Sequence, residues 1–259
     1  MIKKAIFFLH YKNDDFTKEN FNLLKKYNES WDIFPIGFSE HTLLENSLEA
    51  DKDNYPKNSL NFRSLNGTQA DLLIYEAYRL KPNYNKYFFL EYDTIFNTSI
   101  DSFFPNIYKS ECCTPAGSID IPDTSWIHLK RYLENNPEHI KEGECSTSGV
   151  TTCIHFNVNI LQKIFEEVVN NKKIYNEMFS ELRLGSIIKK FTKPNKIRED
   201  INNYISWNVN NIKVDFNKKE YFYHPIRTLS KDYETIQSLA RKQHPDNINR
   251  QNRSYKIFS

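Results

Sequence analysis

The run Tyr87-Phe88-Phe89-Leu90 leads straight into Glu91-Tyr92-Asp93-Thr94. An apolar run this short, bounded by turn-forming residues, reads as one buried strand. It ends in two carboxylates spaced i and i+2, which an extended chain projects to the same side. An α/β sheet binds its ligands at the C-terminal ends of its strands. Glu91 and Asp93 are therefore placed to share one cation, and oxygen donors of this kind suit Mg²⁺ or Mn²⁺. The plainer alternative is a strand that stops in a solvated acidic turn.

The rest of the chain decides between these. Its 259 residues allow one large domain or two small ones, and 39% hydrophobic with 15% aromatic content demands a folded core. A net charge of +2 does not mark a nucleic-acid binder. No run approaches the roughly 18 apolar residues of a membrane span. Ile2 to Leu9 reads as a first strand rather than a leader, because the apolar stretch is brief and Tyr11-Lys12-Asn13-Asp14-Asp15 follows it. Cys112, Cys113, Cys145 and Cys153 have no zinc spacing. They read as reduced thiols packed as small hydrophobes.

After the first strand, Asp15 or Thr17 caps a helix to about Tyr27, and a strand follows at 31–38, with Pro35 marking an edge or irregularity. Residues 39–60 read as a polar loop. A helix capped by Thr68 runs to Leu80, and the acidic strand comes next. This alternation predicts an α/β fold with a mixed, mostly parallel central sheet flanked by helices, in a single domain. It also puts Glu91 and Asp93 at the ligand edge. Beyond Asn97 the pattern predicts short strands near Cys112, Val150–Phe156, 212–216 and 220–223. It predicts helices at 126–133 and 160–170, and one from Tyr175 to Phe191 carrying Glu177 and Glu181 on one face.

This order of elements, with Glu91-Tyr92-Asp93 at the strand end, resembles nucleotide-sugar-dependent glycosyltransferases of the GT-A fold. In them an Asp-x-Asp motif holds a divalent metal against the donor diphosphate. The resemblance implies a nucleotide-sugar half at 1–97, an acceptor half at 98–228 and a basic C-terminal segment at 229–259. It implies Mn²⁺ or Mg²⁺ held by Asp93 and Glu91, with a late histidine, His224 of His224-Pro225-Ile226-Arg227, returning to the metal. His10, Tyr11 and Lys12 at the end of the first strand become candidates for nucleobase and phosphate, as do Arg63, Asp71, Tyr92 and Arg227. Glu181 is the candidate base, in the pattern Ser180-Glu181-Leu182-Arg183-Leu184-Gly185, with Glu177 in reserve. Trp126, His128 and residues 143–149 would form the acceptor side.

The implied activity is transfer of a sugar, from a UDP-sugar first of all, to a hydroxyl of a glycan or lipid-linked glycan. Inversion, bacterial surface-polysaccharide synthesis and a cytoplasmic setting with peripheral inner-membrane contact complete the expectation. A sugar nucleotidyltransferase usually has a Gly-rich loop after the first strand, which His10-Tyr11-Lys12-Asn13 lacks. A non-catalytic glycan- or nucleotide-binding protein has no use for Glu91, Asp93 and Glu181 together. The basic cluster around Arg241, Lys242 and Arg250 reads as a solvated or membrane-touching tail rather than a nucleic-acid surface.

Overall fold

A computed structural model describes residues 2–41, 43–56, 65–115, 119–120, 126–135, 144–148, 151–196 and 219–224. Arg63, Arg227, the strand expected at 212–216 and the segment 229–259 lie outside the described residues.

The first half alternates as expected: β1 Lys4–Leu9, α1 Asp15–Tyr27, β2 Asp32–Phe38, β3 Leu48–Ala50, α2 Leu65–Leu80 and β4 Lys86–Glu91. The middle holds β5 Ile95–Phe96, α3 Ile100–Phe103, β6 Cys112–Thr114, β7 Ile119–Asp120, α4 Ile127–Asn135 and β8 Ser146–Thr147. Then come β9 Ile154–Asn157, α5 Val158–Asn170, α6 Lys172–Tyr175, α7 Ser180–Phe191, β10 Asn195–Lys196 and β11 Phe222–Tyr223. Asp14 caps α1 by accepting the Thr17 N–H at 2.9 Å, and Asn157 caps α5 by accepting that of Ile160 at 3.0 Å.

Among the described residues the main sheet has seven strands in the order β10-β6-β9-β4-β1-β2-β3. β9 runs antiparallel to both neighbours, β4 and β6, and the other pairings are parallel. The sheet is thus mixed and mostly parallel, as the alternation predicts. β3 pairs only with Ile36–Phe38, so Pro35 sits where that side of β2 is open and its missing N–H costs nothing.

Both faces of the sheet are covered, which is why the central strands read as unbroken apolar runs. Ala5, Phe7, Leu9, Tyr87 and Phe89 pack with α2, α5 and α7. The alternate residues Ile6, Phe8, Phe88 and Leu90 pack with α1, α3 and the aromatic residues Tyr221–Tyr223. All four cysteines are free and buried.

Several expectations give way here. The cap of α1 is Asp14 rather than Asp15 or Thr17, Thr68 lies inside α2 rather than at its start, and the strand expected at Val150–Phe156 begins only at Ile154. Residues 39–60 include β3, too short to show a period-two pattern. The helix expected from Tyr175 to Phe191 begins only at Ser180, as α7; α6 ends at Tyr175, and Glu177 lies in the link between them with φ 61°. Glu177 and Glu181 therefore do not share a helix face. No glycine or proline marks the break.

Candidate active site

The acidic turn is fastened from three directions. The Tyr92 N–H donates to Leu9 O at 2.9 Å, so the β1–β4 ladder extends past Glu91. From α1, the buried Asn20 amide donates to Tyr92 O at 2.8 Å and Thr94 O at 3.0 Å. From the segment before β9, Thr152 Oγ1 accepts the Glu91 N–H at 3.0 Å and lies 3.0 Å from Thr94 Oγ1. Thr151 donates its hydroxyl to Glu91 Oε1.

β11 brings the late histidine in. It pairs antiparallel with β5, Phe222 opposite Phe96 and Tyr223 opposite Ile95. Phe222 is fully buried against Phe96, Phe103 and Phe104, at 4.7–5.3 Å between ring centroids. His224 then falls beside the turn. Its Nε2 is 2.7 Å from Glu91 Oε2 and 3.1 Å from Asp93 Oδ1.

These three side chains are a group able to hold a metal ion, with donor atoms within 4.8 Å of one another. In an octahedron with metal–ligand bonds of about 2.1 Å, neighbouring donors stand about 3.0 Å apart. The two measured spacings match such edges. The set of two carboxylates and one imidazole suits Mn²⁺ better than Mg²⁺. The residues fit a divalent cation. Without one, a proton does part of the same work. Burial alone would lower the His224 imidazole, but Asp93 and Glu91 outweigh it and push its pKa up to about 10.

Glu181 is in the first turn of α7. Burial, and then the negative charge of Glu91, push its carboxyl up to about 8, with His224 pulling the other way. The four residues thus form one electrostatic unit, although they come from β4 and its turn, α7 and β11. The backbone of β8 and Ser148 lies across the same helix. Ser148 N–H donates to Glu181 O at 3.1 Å, and a Cβ on Gly185 would come within 2.5 Å of the backbone of Ser146, Thr147 and Ser148. Only glycine allows this crossing.

The end of β1 provides an aromatic rim. Tyr11 meets Tyr92 edge-on at 4.6 Å, their hydroxyls are hydrogen-bonded, and the Lys12 ammonium lies over both rings at 5.4 and 5.7 Å. His10 turns inward instead. It is buried, its Nε2 is 2.8 Å from Ser47 Oγ, and burial lowers its pKa to about 4.

Asp71 lies in an internal ion pair. It is fully buried, Arg183 Nε and Nη2 donate to its two oxygens at 2.7 and 2.6 Å, and Tyr75 adds a third bond at 2.7 Å. Its partner lies 112 residues away, so the sequence around Asp71 carries no sign of the pair. Trp126 and His128 do group together, with Phe179 at the start of α7: His128 stacks on Phe179 at 4.0 Å and Trp126 meets both rings edge-on. All three are half-buried. Sequence reasoning missed Asn20, Thr151 and Thr152. The consecutive threonines at the mouth of an apolar strand were the available signal, since polar residues there need partners.

No family model and no curated protein sequence matches the chain. Among solved structures, it is similar to a galactosyltransferase, LgtC, in complex with donor and acceptor sugar analogs. That match has 12% identity and a TM-score of 0.48, covering 92% of this chain and 95% of that one. It is also similar to mouse xyloside xylosyltransferase 1 in its apo form, with 9% identity and a TM-score of 0.40, covering 79% of this chain and 86% of that one. With identities this low and TM-scores under 0.5, neither likeness bears on the chemistry of the site, which rests on the residues themselves.

Proposed function

We propose that this chain is a divalent-cation-dependent glycosyltransferase that moves a sugar from a nucleotide-sugar donor, a UDP-sugar first of all, to a hydroxyl of a glycan or lipid-linked glycan. The observation that carries this reading is the convergence of Glu91, Asp93 and His224 at the C-terminal end of β4, with Glu181 in electrostatic contact. Bound there, Mn²⁺ or Mg²⁺ would neutralise charge developing on a leaving diphosphate.

The chain's own residues supply the rest. Asp93 Oδ1, Glu91 Oε2 and His224 Nε2 are the ligand atoms. Tyr11 and Lys12 lie on the β1 rim for the nucleobase and phosphates, with Arg63 and Arg227 assigned to the same charges. Glu181 takes the proton of the attacking hydroxyl, giving inversion. Its carboxyl is raised by burial first and by the Glu91 charge second, so compensation of that charge would lower its pKa toward that of a working base. The rings of Trp126, His128 and Phe179 offer an apolar wall for the acceptor sugar. We assign the acceptor to bacterial surface-polysaccharide synthesis on the sequence resemblance. A cytoplasmic site of action is assigned in the same way, with the basic segment 229–259 touching the membrane surface. No helix among the described residues is long and apolar enough to cross a membrane.

Thermal-shift measurements with UDP-, GDP- and CMP-sugars, with and without Mn²⁺, test the reading. One nucleoside diphosphate sugar should stabilise the protein only with metal, and Asp93→Ala should lose that effect. No shift with any nucleotide would sink the proposal. The anomeric configuration of the product, read by NMR, decides inversion.

A further inference from the structure

The two oxygens of Glu91 are used differently. Oε1 accepts the Thr151 hydroxyl, while Oε2 is 2.7 Å from His224 Nε2. Thr151 and Thr152 are buried, and they directly precede Cys153, whose φ is 51°. A residue with a Cβ persists in this left-handed conformation where its surroundings over-determine it. Here the turn changes what the chain presents. β9 pairs with β4 from Ile154, opposite Phe89, as far as Asn157. Had the strand simply continued, residues 151 and 152 would project to opposite faces. Instead Thr152 holds the backbone N–H of Glu91 and Thr151 holds its side chain.

We propose that Thr151 is a positioning residue: it engages Oε1 so that Glu91 presents Oε2 alone, and in doing so sets the affinity of the Glu91–Asp93–His224 cluster for a divalent cation. A glutamate side chain has three rotatable bonds, and fixing them before the cation arrives removes an ordering cost that binding would otherwise meet. Hydrogen bonds to metal-ligating carboxylates typically change affinity by about 10- to 100-fold. The inference rests on the cation reading of this cluster.

The test is Mn²⁺ binding to the full chain without nucleotide, followed by the EPR signal of free Mn²⁺. Thr151→Val, nearly isosteric, should weaken binding about 10-fold or more, Thr151→Ser should restore it, and Asp93→Ala should abolish it. Because Thr151 is buried, Thr151→Ala is measured beside the valine variant, and melting curves check that each is folded. A second measurement uses Glu91→Asp, whose shorter side chain gives up the Thr151 contact. In that background removal of the hydroxyl should change affinity by less than about 2-fold, below the range expected for a ligand's hydrogen-bond partner. Equal affinity of the wild type and the folded hydroxyl-free variants, with Asp93→Ala inactive in binding, overturns the positioning role and leaves the cation site standing. So does an equal loss in both backgrounds. No Mn²⁺ binding by the wild type overturns both.

Discussion

Glu181 shows what one side chain can owe to its surroundings: the same carboxyl on an exposed helix would be ionised at neutral pH, and here burial and Glu91 hold its proton. Glu181→Gln keeps shape and polarity but cannot take a proton. Donor binding should stay within about twofold of wild type, while kcat falls by about 10²–10⁴, the usual contribution of a general base. Single-turnover kinetics with saturating donor measure it, and undiminished turnover would remove Glu181 from the chemistry. At this scale the sequence was readable where one residue's neighbours in the chain determine its place. Glu91 and Asp93 end a buried strand, so their position followed from the run before them. The surroundings of Asp71 come from α7, and a pairing across 112 residues leaves no local trace.

Between elements, two joints hold the site. The Asp71–Arg183 pair is fully buried between α2 and α7, and Arg183 Nη1 also donates to Met178 O at 3.0 Å, in the link before Glu181. Asp71→Ala would strand a buried guanidinium, and chemical denaturation should show a loss of about 3–5 kcal/mol. The other joint is β5–β11. Phe222→Ala opens a cavity among Phe96, Phe103 and Phe104 and should cost about 3–5 kcal/mol, with Mn²⁺ affinity falling alongside because His224 follows directly. If Mn²⁺ affinity holds while stability falls, His224 is not positioned by this joint. Long elements with a clear period, such as α1, β4 and α5, were legible. The strand expected at 220–223 is β11, but its two-residue partner β5 carries no period, so the pairing that delivers His224 could not be read from spacing. The break between α6 and α7 spans Asn176–Phe179, where the apolar pattern runs on and Asn176, the C-cap of α6, is a weaker stop than glycine or proline.

For the whole molecule, four titratable groups, three of them buried, give stability a maximum near neutral pH. His10 and His155 have pKa values lowered to about 4 and about 3, by burial first. Between pH ~6.5 and ~4 the unfolded chain therefore binds protons that the native chain refuses, and stability falls as pH drops. Glu181 and His224, raised to about 8 and about 10, act in the opposite sense. The native chain keeps protons that the unfolded chain releases, from pH ~4.5 to ~8 for Glu181 and from ~6.5 to ~10 for His224, so Glu181 offsets one of the two histidines below ~6.5 and stability falls as pH rises above it. Each uncompensated proton contributes on the order of 1.4 kcal/mol per pH unit. Melting temperatures across pH 4–10 should trace this bell, and His155→Phe should flatten its acid side. Excess Mn²⁺ should flatten the alkaline side, since a metal-bound imidazole has already lost its proton.

The β5–β11 pairing has one more consequence, in time rather than space. His224 and Glu91 are 133 residues apart, and their contact closes a long loop that a two-residue ladder repays only after the sheet exists. The site is therefore completed late in folding and released early in opening. Amide exchange at Phe222 and Tyr223 should be faster than in β1 and β4, so that a chain fully folded by its core can be switched off at its chemistry.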